Sequence, residues 1–108
     1  MAEDERSVLD ALREQVTLRK ELKEAIEIQQ ETEKYHAKQM RELQTERALA
    51  LQAARKDDDE AIAKVKQLDE AIESLQATQE EARKETEAGR EALKRYEERI
   101  RALGSVAS

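Results

Sequence analysis

Thirteen positions in the second half of this chain follow a 4-3 rhythm: 61, 65, 68, 72, 75, 79, 82, 86, 89, 93, 96, 100 and 103. Read backward from Ala54, the same rhythm falls on thirteen positions that end at Leu12. Paired outward from the middle (54 with 61, 36 with 79, 12 with 103), the residue numbers always add to 115, which puts the fold axis between Asp57 and Asp58. A 4-3 spacing keeps side chains on one stripe of an α-helix. Two stripes in mirrored order meet when the chain doubles back. The pattern therefore predicts an all-α fold, a long antiparallel two-helix hairpin of coiled-coil type.

What faces what supports this register. The hairpin seam brings Met40 to Leu75, Leu43 to Ile72, Leu22 to Leu93 and Leu12 to Leu103. Its polar layers also coincide: Gln29 faces Thr86, Glu33 faces Ala82, and His36 faces Gln79, to which it is expected to hydrogen-bond. Arg19 is expected to lay its stem over Tyr96, and Arg47 over Leu68. A competing seam through Leu9, Val16 and Leu51 also gathers apolar residues.

The reversal is expected inside Arg55-Lys56-Asp57-Asp58-Asp59-Glu60, which contains neither glycine nor proline. Asp57 and Glu60 have the spacing of a capping box, with Asp57 as N-cap. The carboxylates suit the positive end of a second helix, and Arg55 and Lys56 the negative end of the first. The register also breaks here: continuing the first heptad would make Ala61 an a position, whereas the second heptad makes it d. The predicted organisation is one domain, with helix one over 4–55, a turn at 56–59, helix two over 60–103 and a flexible tail at 104–108. Gly104 is expected to cap the second helix. Gly89 lies on the seam itself and leaves a notch, a weak layer costing about 1 kcal/mol relative to alanine.

Composition narrows the function classes. Charged residues are 43% and hydrophobic ones 38%, and Phe, Trp, Pro and Cys are absent. Such a chain lacks the bulk to wall off a catalytic pocket. No Ser, Cys or phosphate-loop motif is present, so no enzymatic activity and no cofactor are expected. His36 is the sole histidine and has no partner motif, and the acidic turn lacks the spacing of a calcium loop, so no metal is expected. A net charge of −6 disfavours nucleic-acid binding. The basic residues Lys94, Arg95, Arg99 and Arg101 are interleaved with acids. Pairs such as Glu60–Lys64, Glu80–Lys84 and Glu91–Arg95 have the favoured i,i+4 order. The longest apolar run, Ala48 to Leu51, is far short of a membrane span. The acidic start has no apolar signal-peptide core. The expected setting is soluble and cytoplasmic.

Helix one carries apolar residues beyond its seam. Leu18, Ile28, Tyr35 and Leu49 are the expected partner-binding residues. The expected function is a non-catalytic protein–protein interaction module, a coiled-coil adaptor or scaffold offering an apolar stripe to a helical partner. A second copy is one such partner, pairing two hairpins into a four-helix bundle and making the protein a homo-oligomer. The alternatives are a small holdase-type chaperone and a continuous-helix parallel coiled-coil dimer acting as a spacer.

Overall fold

A computed structural model describes residues 2–55 and 58–107, with the side chains of residues 6–55 and 58–106. Two helices account for them: α1, Ala2–Ala54, and α2, Asp59–Ala107. They pack as an antiparallel hairpin, and no strand occurs among the described residues. The chain reverses between two separate helices, so the continuous-helix alternative does not describe it.

The mirrored rhythm is the packing rhythm. Every seam position from Leu12 to Ala54 and from Ala61 to Leu103 is buried or half-buried. The most buried residues, Ile26, Met40, Ala50, Ala61, Leu68 and Thr86, all lie on it. No described side chain is completely enclosed. Two helices offer each other only one stripe, and seam residues keep an edge in water. Of the competing seam, Leu9 and Val16 are exposed, on the flank beside the seam, and only Leu51 is half-buried. Centring them would turn Ile26 and Met40 outward.

Contacts divide the chain into two units. One is Glu31–Lys84, which holds the turn. Here the last turn of α1 closes with Arg55 N–H donating to the Leu51 carbonyl at 3.1 Å. Asp58 caps α2: its Oδ1 accepts from the N–H groups of Glu60 at 3.0 Å and Ala61 at 3.4 Å. Its carbonyl accepts the first helical bond, from Ile62 N–H at 3.1 Å. The capping residue is therefore Asp58, one position later than expected. Because α2 starts at Asp59, Glu60 is its second helical position and the third falls on Ala61, a seam residue. Asp57 and Lys56 lie outside the described residues.

Farther along this unit, the Arg47 guanidinium donates through Nε to the carboxylate of Asp69, the neighbour of Leu68 on α2. This cross-helix ion pair fits the pairing of Arg47 with Leu68. The expected bond between His36 and Gln79 is not made: His36 Nδ1 is buried and has no hydrogen-bond partner among the described residues.

The other unit comprises Met1–Gln30 and Glu85–Ser108. Its tightest described layer is at Gly89. A Cβ built there would lie 3.3 Å from Ile26 Cγ1 and 3.7 Å from Ile26 Cδ1. The notch of Gly89 is thus filled by Ile26, its mirrored partner, and Thr86 beside it is only 3% exposed. Gln15 Oε1 is buried without a partner. The mirrored position, Ile100, has no side-chain donor to offer it. A cation lies over the Tyr96 ring: Arg99, with Cζ 5.7 Å from the centroid. Arg99 is three residues along the same helix and reaches the ring without crossing the seam.

The second helix does not stop at Leu103. It runs through Gly104 to Ala107, so Gly104 does not cap it and the expected tail residues continue the helix. Nothing lies within 4 Å of a Cβ at Gly104. An in-line glycine costs only about 1 kcal/mol, too little to break a helix unaided.

Candidate protein interface

With the seam counted as heptad positions a and d, Ile28, Tyr35 and Leu49 all fall at c, and Leu18 at the adjoining g. The three c residues are all largely exposed: Ile28 is 68% exposed, Tyr35 60% and Leu49 61%. Leu18 differs. It is half-buried, because g positions border the seam. Leu18 and Ile28 belong to the unit holding the chain ends, Tyr35 and Leu49 to the unit holding the turn. Tyr35 keeps a local polar contact, its hydroxyl accepting from Gln39 Nε2 at 3.2 Å.

In the turn unit this flank is grooved. A recess of about 340 Å³ beside the turn has an apolar floor of Leu49, Ala50, Ala53 and Ala61. Glu46, Asp58, Glu60 and Lys64 edge it. A second recess, of about 370 Å³, has Leu43, Ala71 and Leu75 in its lining, with Gln39, Glu42, Glu46, Ser74 and Thr78 around them. Glu46 lines both, so the two recesses adjoin on one flank, and together they are called the trough below. The trough owes its depth to small residues: Ala53, Ala71, Ser74 and Thr78 stand where larger side chains would fill it.

The two flanks of this unit differ in charge. Ion pairs occupy the flank away from the trough, where Arg47 meets Asp69 and Arg83 meets Glu80 at 2.8 Å. On the trough side, Glu42, Glu46 and Glu60 form no ion pair among the described residues. The expected Glu60–Lys64 pair is not made. The intrahelical pairs that do form run i,i+3: Glu31–Lys34, Glu80–Arg83 and Glu91–Lys94, in place of Glu80–Lys84 and Glu91–Arg95.

Sequence reasoning missed Ile62, which is 52% exposed on α2. Its signal was present, one residue past the seam position Ala61, but surplus apolar residues were sought on the first helix alone. The trough was also missed. It depends on which c and g residues of two helices share a flank, and that follows only once both registers are known.

Among the described residues, no group of three or more His, Cys, Asp or Glu side chains is placed to hold a metal ion. No described helix is long and apolar enough to cross a membrane. Compared with models of known protein families, with curated proteins and with solved structures, the chain matches none.

Proposed function

We propose that this protein is a non-catalytic interaction module of the cytoplasm, a coiled-coil adaptor that offers the apolar stripe of Leu18, Ile28, Tyr35 and Leu49 to a helical partner. The observation that carries the reading is the heptad spacing of Ile28, Tyr35 and Leu49, all more than half exposed. Scattered surface hydrophobics need no explanation. Three large ones at one heptad position on one helix have the pattern of a helix-packing surface. Full burial of each would contribute up to roughly 1.5–3 kcal/mol toward association. The hairpin's single narrow seam adds a motive, because further burial would stabilise a chain whose core is thin.

A second copy is another candidate partner, with two hairpins closing into a four-helix bundle. Light scattering at micromolar concentration separates self-association from a monomer that awaits another protein. The test of the face itself is a variant with Leu18, Ile28, Tyr35 and Leu49 all made Ser or Gln. It is expected to keep its helicity and lose its partner or its dimer. Unchanged association in that variant rejects the stripe.

A further inference from the structure

We propose that the trough of the turn unit receives an amphipathic helix whose apolar ridge is flanked by lysine and arginine. The inference rests on the interaction-module reading and names the chemistry of the partner. The floor is apolar, with Leu49 standing 61% exposed at its edge. Its rim carries Glu42, Glu46 and Glu60, none in an ion pair among the described residues, against the single base Lys64. On the opposite flank Asp69 pairs with Arg47 and Glu80 with Arg83. The three glutamates of the trough rim have no such partner among the described residues. A ligand that buries Leu49 brings its own flanking charges against those carboxylates. Cations there are attracted, and anions meet like charge at contact range. The groove lies between two helices, so the shape that fills it is a third helix. A second copy offering this same flank would set one glutamate rim against another, which disfavours that occupant.

The experiment measures binding of three synthetic helices to the full chain by fluorescence anisotropy at low and high salt. All three share one leucine ridge; their flanks are Lys/Arg, Gln or Glu. The Lys/Arg helix is expected to bind most tightly. Its affinity should weaken about tenfold when Glu42, Glu46 and Glu60 are all changed to Gln, and should fall with salt. Leu49→Asp should abolish binding while helicity by circular dichroism is retained. If the Gln or Glu helix binds as well as the basic one, or the triple-Gln variant binds it unchanged, the basic-partner proposal is overturned and the interaction module survives. A doubling of mass that Leu49→Asp abolishes would give the trough to a second copy, with the same result. If no helix binds and the chain stays monomeric, both readings fall.

Discussion

At the scale of single residues, two of the seam's weak layers show how it is tuned. Gly89 is one. Its absent Cβ leaves room that Ile26 Cγ1 enters, with 3.3 Å to the position a Cβ would take. Gly89→Ala should gain about 1 kcal/mol of helix propensity and lose a similar amount to crowding against Ile26. In the wild-type background it is therefore expected to be close to neutral. Combined with Ile26→Ala, the same change should be clearly stabilising, with a coupling of at least about 0.5 kcal/mol in a urea double-mutant cycle. Strict additivity would show that Ile26 does not fill the notch. His36 is the other. Its Nδ1 is buried with no partner among the described residues, and an unpaired buried polar atom carries a desolvation cost. His36→Leu is expected to stabilise by about 1 kcal/mol, read as a rise of roughly 4 °C in thermal midpoint. A fall in midpoint would mean the ring is satisfied after all. The sequence marked both positions as weak seam layers. It did not reveal that one is filled from across the hairpin and the other stays unsatisfied, because each outcome turns on side-chain placement within an ångström or so.

At the scale of elements, the decisive feature is how little terminates the helices. No proline or glycine marks the reversal, so the start of α2 rests on the Asp58 side chain, which accepts from two N–H groups. Asp58→Ala should cost about 1 kcal/mol, whereas Asp58→Ser or Asp58→Asn should recover most of it. Equal midpoints for all three in urea unfolding would show that the cap is idle. The existence of both helices was legible, because thirteen seam positions on each repeat one period. Their ends were less so. Three consecutive aspartates, Asp57 to Asp59, are chemically equivalent candidates for a cap, and spacing alone picked the wrong one. Gly104 misled in the same way: a glycine permits a cap without requiring one.

At the scale of the whole molecule, the antiparallel hairpin was readable because chain reversal is a symmetry of the residue numbers, visible before any contact is known. The binding flank was only half readable. Ile28, Tyr35 and Leu49 stand out on one helix, but the trough and its acidic rim need both. The short turn also imposes an order of events. The two members of a mirrored pair are 7 residues apart at Ala54 and Ala61 and 91 apart at Leu12 and Leu103. Closing a loop costs more entropy the longer it is, yet once the inner layers hold, each outer one adds only a short increment. Assembly should thus proceed as a zipper from the turn outward. Leu68→Ala is expected to slow refolding, whereas Ile26→Ala should mainly hasten unfolding, each for a total loss on the order of 2–4 kcal/mol. Stopped-flow chevrons that show the reverse would place nucleation elsewhere. A hairpin that zips from its bend leaves its far ends last to close and first to open, so brief opening at that end will precede any global loss of structure.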